Sequence, residues 1–411
     1  VRDLRAVSLF AGAGGLDYGF EAAGFSTKLA IEIDPVACAT LARNRPQWSV
    51  LRKQIQHVSG KELTDALDMD EREVDLVTGG PPCQPFSKAG YWATGDTQRL
   101  ADPRAETLAS YMRVVGELLP RAFVLENVPG ISYAGKDEGL RLIERWVRKI
   151  NSEHGTDYAL SFKVVNAAEY GVPQLRTRFV MVGDRDGKQF SFPAATHHLP
   201  SSRAGKGDLP GPVTAWDAIG HLDVTTEDDL AVPGYWGKLL PSIPEGENYL
   251  HHTSKGAGMR LFGYRTRYWG FLLKLAKSKP SWTLQAQPGP AIGPFHWRSR
   301  RLSVEEMAQL QTFPRGIKFS GNYCSVRRQI GNAVPSLMAE VVAREVARQI
   351  FRERGLGGLR LMVEPRWPIP DPEEVLPVPT TYLKHVGDHP DHPGVGNGPG
   401  VKHRDVEAAA A

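Results

Sequence analysis

Over residues 4–185 the chain alternates short apolar runs with amphipathic helical stretches, a pattern few folds accept. Residues 4–10, 28–32, 74–77, 121–125, 162–165 and 179–182 read as strands. Each is a brief apolar run between turn residues or charges. Residues 17–23, 106–119 and 141–150 read as intervening helices. In the second of these, Leu108, Tyr111, Met112, Val115, Leu118 and Leu119 share one face. Strands separated by helices form a mostly parallel sheet covered by helices, an α/β fold. Such a sheet binds ligands beyond the carboxyl ends of its strands. Residues able to do chemistry gather at those ends: a glycine turn after the first strand, then Glu32, Cys83 and Glu126.

The first strand runs directly into Phe10-Ala11-Gly12-Ala13-Gly14-Gly15-Leu16 and then into a helix. Glycines there let a ligand approach the backbone, and the helix start offers unpaired N–H groups. The spacing of Gly12, Gly14 and Gly15 does not fit the G-x-G-x-x-G dinucleotide turn, and no Lys-Ser/Thr pair follows as in a P-loop. Glu32, about twenty residues on, suits a carboxylate that grips ribose hydroxyls. A nucleoside cofactor without a pyrophosphate fits better, and S-adenosylmethionine is the obvious case.

The third strand leads into Gly79-Gly80-Pro81-Pro82-Cys83-Gln84-Pro85-Phe86-Ser87. A free cysteine is by default a small buried hydrophobe. The prolines flanking Cys83-Gln84 argue otherwise, because they fix φ, remove backbone donors and hold one thiol in one orientation. Cys83 is therefore the candidate nucleophile. Three cysteines without paired spacing argue against a disulfide framework or a zinc ribbon. His251-His252 lacks the further ligands that a metal site needs. No stretch approaches the apolar length of a membrane span, and the chain enters a strand at once, so no signal peptide is expected. A hydrophobic content of 41% and a charged content of 23% are ordinary for a soluble globular protein, and 411 residues allow two domains.

Residues 187–211 are rich in Pro, Ser, Gly and His and read as a connector. From residue 250, basic side chains such as Arg260, Arg265, Arg267, Lys274, Lys277 and Arg300 stand among Tyr264, Tyr268, Trp269, Trp282 and Trp297. Basic residues interleaved with aromatics suit phosphate contacts combined with base-edge or stacking contacts. The net charge of +4 would say little alone. Residues 300–313 are amphipathic, with a capping box formed by Ser303 and Glu306.

Five blocks, Phe10 to Gly15, Gly80 to Ser87, Glu126-Asn127-Val128, Gln174 to Arg178 and Gln329 to Pro335, resemble the bacterial DNA (cytosine-5) methyltransferases and occur in that family's order. The resemblance implies a Rossmann-like, S-adenosylmethionine-dependent methyltransferase sheet with a smaller, irregular target-recognition domain. Residues 1–190 would form the catalytic and cofactor-binding domain and 191–300 the target-recognition domain. Residues 301–354 would supply a recognition-domain helix and the return to the first domain. Residues 355–411, rich in Pro and Gly, would be a partly disordered tail, with residues 364–379 packed on the surface. Double-stranded DNA is the implied partner, with a cognate restriction endonuclease where the enzyme belongs to a restriction-modification pair. The protein would be a cytoplasmic monomer without metal.

The same resemblance implies the chemistry. The Cys83 thiolate would add to carbon 6 of a cytosine extruded from the duplex. Carbon 5 would then take the methyl group, leaving S-adenosylhomocysteine, and loss of the carbon 5 hydrogen as a proton, with water as the base, would let the Cys83 thiolate leave carbon 6. Glu126 would donate to N3, Arg178 would contact the base or Glu126, and Arg176 the substrate or the catalytic loop. Phe10, Ala11, Gly12, Gly14, Gly15, Leu16, Glu32, Ile33, Gln54, Ile55, Pro82, Asn332 and Val334 would hold the cofactor. Ser87 and Lys88, on a loop that closes, would contact DNA together with Arg265, Arg267 and Thr283. Two positions depart from the pattern: Gln54-Ile55 stands where Asp-Ile is frequent, and Ile33 where an aromatic residue often stacks on adenine. Two other readings stay open, a tRNA cytosine-5 methyltransferase with the same blocks and a catalytically silent DNA-binding regulator on the same scaffold.

Overall fold

A computed structural model describes residues 3–70, 72–82, 105–133, 137–200, 208–222, 230–265 and 268–392. Its strands are β1 (Leu4–Leu9), β2 (Phe25–Glu32), β3 (Ser49–Arg52), β4 (Leu76–Gly79), β5 (Ala122–Asn127), β6 (Ala159–Asn166), β7 (Gln174–Leu175), β8 (Thr177–Asp184) and β9 (Ser281–Trp282). All but β7 and β9 join one sheet, ordered β3-β2-β1-β4-β5-β8-β6. The first five are parallel to one another. Strand β8 runs against both neighbours. Only residues 167–176 separate β6 from β8, too short a link for the helical crossover that a parallel pair needs, so the chain turns back.

The helices are α1 (Gly15–Ala22), α2 (Pro35–Asn44), α3 (Gly60–Leu67), α4 (Ala105–Leu118), α5 (Glu138–His154), α6 (Ala215–Ile219), α7 (Val304–Leu310), α8 (Tyr323–Asn332) and α9 (Ser336–Gln349). Side chains alternate along a strand, so each strand feeds two cores. Val7 and Leu9 of β1 join the core beneath α3, α4 and α5, with Leu63, Met112, Val115 and Ile143. Leu4 and Ala6 face the other way, onto Phe20 of α1 and onto α9 through Leu337, Met338 and Val342. Helix α9 is nearly engulfed; ten of its residues are buried. Glycine allows this approach, because a Cβ on Gly19 would sit 2.4 Å from the Ala339 Cβ. The last helix of the sheet domain therefore packs on the first.

A third core joins the domains. Tyr18, Ala30 and Leu41 from the sheet side meet Ala218, Leu284, Leu310 and Ile330 from later in the chain. A fourth, holding Leu239, Ile243, Tyr249, Leu272 and Phe295, belongs to the second region.

The tail packs on the body of the protein as far as residue 392, beyond the 364–379 stretch expected to do so. Tyr382 is buried in the fourth core. Leu376 N–H donates to the Pro241 carbonyl, and His392 N–H to that of Tyr264. Glu340, fully buried on α9, accepts from the N–H groups of Arg360 and Leu361. Backbone groups of the tail thus find partners on the body of the protein, which a proline-rich composition does not reveal.

Candidate active site

A cavity of about 360 Å³ opens at the carboxyl ends of β1, β2, β4 and β5. One end of it is built from the glycine turn and Glu32. Glu32 Oε2 accepts from the Gly12 N–H at 2.7 Å, and Oε1 from the N–H groups of Ile33 and Asp34, both at 2.8 Å. These bonds fix a carboxylate at the strand end, and its remaining lone pairs can accept from a diol. Phe10 takes φ 56°, which swings the chain out of β1 and into the turn. The left-handed Gly12 has no atom within 4 Å of a would-be Cβ, which leaves space beside the backbone for a ligand. Gly15 is different: its Cβ would meet the Val334 carbonyl oxygen at 2.5 Å. The segment Asn332-Ala333-Val334 therefore forms a wall of the cavity against the start of α1. Asp34 caps α2 through the Val36 N–H and pairs with Arg328 at 2.5 Å.

The other end is acidic and guanidinium-lined. Glu126, on the last turn of β5, lies 2.8 Å from Arg178 Nε, with side-chain exposures of 12% and 16%. Burial raises its carboxyl above the usual range, and Arg178 and Arg176 oppose the rise. Gly80 permits the approach, since its Cβ would fall 2.8 Å from Glu126 Oε2. Asn127 fixes the neighbouring loop by donating from Nδ2 to the Pro81 carbonyl at 3.2 Å and accepting the Val128 N–H at 2.9 Å. Pro81 and Pro82 line the cavity, and Cys83 is the next residue. Cys83, Ser87, Lys88 and Arg267 lie outside the described residues.

Arg176, expected at the substrate or the catalytic loop, lines the cavity and also ties down its wall. It lies between β7 and β8, where the strand is interrupted, and is 1% exposed. Its Nη2 donates to the carbonyls of Gly331 at 2.8 Å and Ala333 at 2.9 Å, and its Nη1 to Leu284 at 3.4 Å. Gln174 adds to the clamp, accepting the Leu284 N–H and donating to the Leu310 carbonyl. Thr283 spends its hydroxyl proton on the Leu175 carbonyl at 2.6 Å. The end of the second region is thus tied to the cavity wall.

Of the cofactor residues read from the sequence, Phe10, Ala11, Gly12, Gly15, Leu16, Glu32, Ile33, Pro82, Asn332 and Val334 line the cavity. Gly14 does not line it; it is the left-handed N-cap of α1. Gln54 and Ile55 also lie outside the lining. Strand β3 stops at Arg52, so Gln54 falls exposed on the following loop and Ile55 is buried in the core. Among the basic residues assigned to DNA, several are structural. Lys277 is buried against Glu245 at 2.6 Å and Glu373 at 2.9 Å. Arg300 makes a two-pronged contact with Glu306. Burial pushes Lys274 down to about 8. Arg265 donates to the Pro390 carbonyl of the tail at 2.9 Å. The sequence reading missed Asp17, Ser8 and Arg328, which also line the cavity. An acid inside a glycine turn's first helical turn was the available signal for Asp17.

Among the described residues no group of His, Cys, Asp and Glu could hold a metal, and no helix is long and apolar enough to cross a membrane. The donor set fits a nucleoside with a charged side arm: a fixed carboxylate, free backbone space at Gly12 and a deep run toward Glu126.

Comparison with known proteins gives the same direction. Residues 4–348 match the family of C-5 cytosine-specific DNA methylases. The Type II methyltransferase M.SacI of Streptomyces achromogenes is 40% identical over 372 residues, covering 85% of this chain and 94% of that protein. M1.HphI of Haemophilus parahaemolyticus, also a Type II methyltransferase, is 33% identical over 85% of this chain and 88% of its own length. Among solved structures, the methyltransferase EhMeth of Entamoeba histolytica superposes with a TM-score of 0.55 at 15% identity, over 86% of this chain and 99% of that one. That likeness shows the Rossmann-like methyltransferase fold. With a sheet of this order, a cavity at its carboxyl rim and a match over residues 4–348, the chain belongs to the C-5 cytosine-specific DNA methylases.

Proposed function

We propose that this chain is the modification enzyme of a type II restriction-modification pair, moving a methyl group from S-adenosylmethionine to carbon 5 of an extruded cytosine through a covalent Cys83 adduct. The observation that carries the reading is Glu126. A carboxyl raised by burial, held by Arg178 and set beside the Pro81-Pro82 approach to Cys83, is suited to keep a proton on a ring nitrogen. Thiolate attack on carbon 6 needs that proton, because negative charge otherwise builds on the ring. When bound, S-adenosylmethionine supplies an electrophilic methyl group. Glu32 holds the ribose end, and Asn332 and Val334 bound the other end. Arg176 holds the wall in place. The exposed, edge-to-face pair Trp269 and Trp282, with ring centroids 5.1 Å apart, lies next to Thr283 and offers an apolar surface to DNA.

The test begins with sequencing methylated cytosines in a host that expresses the protein. One recurring sequence context is expected. A duplex of that sequence with 5-fluorocytosine at the target should form a denaturant-resistant adduct that requires S-adenosylmethionine. Cys83→Ser should form none while still binding the duplex. Turnover by that variant would sink the covalent step, and an adduct with tRNA in place of duplex DNA would sink the substrate.

A further inference from the structure

Four carboxylates line the cavity: Asp17, Glu32, Asp34 and Glu126. Three are answered by the chain itself. Glu32 accepts from three backbone N–H groups, Asp34 pairs with Arg328, and Glu126 pairs with Arg178. Asp17 has no ion pair among the described residues. It is 1% exposed, and its Oδ2 has no hydrogen-bond partner. Among the described residues the elements around it bring no cation. Ser8 of β1 and Thr78 of β4, paired side by side in the sheet, face it with hydroxyls only. Glu21 on α1 is a like charge, itself paired with Arg45 at 2.6 Å. On α9, packed against α1, Glu340 is paired with Arg344 at 2.7 Å.

An uncompensated carboxylate in the wall of a ligand cavity is costly unless the ligand brings the opposite charge. Asp17 lines the same cavity as Glu32 and Glu126, beside Ser8 near the carboxyl end of β1 and Thr78 near that of β4. The methionine arm of the cofactor has to run there, and it bears an α-ammonium and a sulfonium. We propose that Asp17 binds the positive charge of that arm and sets the affinity of the pocket for S-adenosylmethionine. The inference rests on S-adenosylmethionine as the donor. Burial pushes the Asp17 carboxyl up to about 6, against the pull of the Ser8 and Thr78 hydroxyls and its own backbone N–H. A cation beside it favours the ionised form, so binding near that pH drives a proton off.

Equilibrium binding by calorimetry, with no DNA and no turnover, tests this. Asp17→Asn should weaken S-adenosylmethionine about ten- to hundredfold, the scale of a hydrogen bond to a charged group. S-adenosylhomocysteine keeps the ammonium and lacks the sulfonium charge. Equal weakening of both ligands assigns the ammonium; weakening of S-adenosylmethionine alone assigns the sulfonium. Asp17→Ser, checked for folding by circular dichroism, should repeat the result. Near about pH 6 the wild type should release protons on binding, read from the buffer dependence of the enthalpy, and Asp17→Asn should lose that release. Glu126 is present in both proteins and cancels from the comparison. Unchanged affinity in the folded variants overturns the role of Asp17 alone. A wild type that binds neither ligand overturns the donor as well.

Discussion

Asp17 should reveal itself in the stability of the ligand-free protein. Its carboxyl titrates near 6 when folded and near 3.8 otherwise. The folded state therefore holds the proton more tightly, and stability falls as pH rises from the lower value to the higher. Above that window the penalty is complete, about 3 kcal/mol from a shift of about two units. Asp17→Asn should raise the urea midpoint at about pH 8 and change it little at about pH 4. Equal midpoints at the higher pH would contradict the burial. The sequence showed an acid in the first turn of a helix, which normally means a solvated residue at the positive end of the dipole. Its burial depends on β4 pairing with β1 across a long connection, and no local pattern carries that. Arg176 was half legible. Alternation on an extended chain puts Arg176 and Arg178 on one side, and both do reach the cavity. The strand break between Leu175 and Thr177 then turns Arg176 onto backbone carbonyls.

At the scale of elements, periodicity carried most of the information. The face predicted for residues 106–119 is the buried face of α4, with Tyr111, Met112, Val115 and Leu118 fully inside. Strand β3 was harder to see, since its four residues are all half-buried or exposed. Its early end is why Gln54 and Ile55 miss the cavity. The contact between α1 and α9 could not be read locally, because its key residue is an unremarkable glycine in mid-helix. Gly19→Val should drive a side chain into Ala339 and the Ser336 carbonyl. Overpacking of that kind costs about 1–3 kcal/mol. Because α9 follows directly on the Asn332-Val334 wall, the variant should also weaken S-adenosylmethionine binding. A destabilised variant with unchanged cofactor affinity would show that the wall does not depend on α9.

At the scale of the molecule, the tail is part of the second region. Lys277 reaches the Asp371 carbonyl, Arg366 donates to the Asp217 carbonyl, and Arg260 pairs with Asp388 at 2.6 Å. Removing residues 366–411, which leaves the Glu340 partners on α9 in place, should lower the unfolding temperature and weaken duplex binding while the cofactor still binds, because among the described residues the cavity draws nothing from beyond Val334. A truncated protein with full DNA affinity would mean that the tail only decorates the surface. Proline-rich composition hid this packing, since irregular chain held by scattered backbone bonds has no period to detect. The lateness of Asn332, Val334 and α9 has another consequence. A ribosome must deliver almost the whole sheet and the whole second region before the first glycine turn gains its final wall. Until then the apolar side of the sheet that α9 covers stays open to solvent.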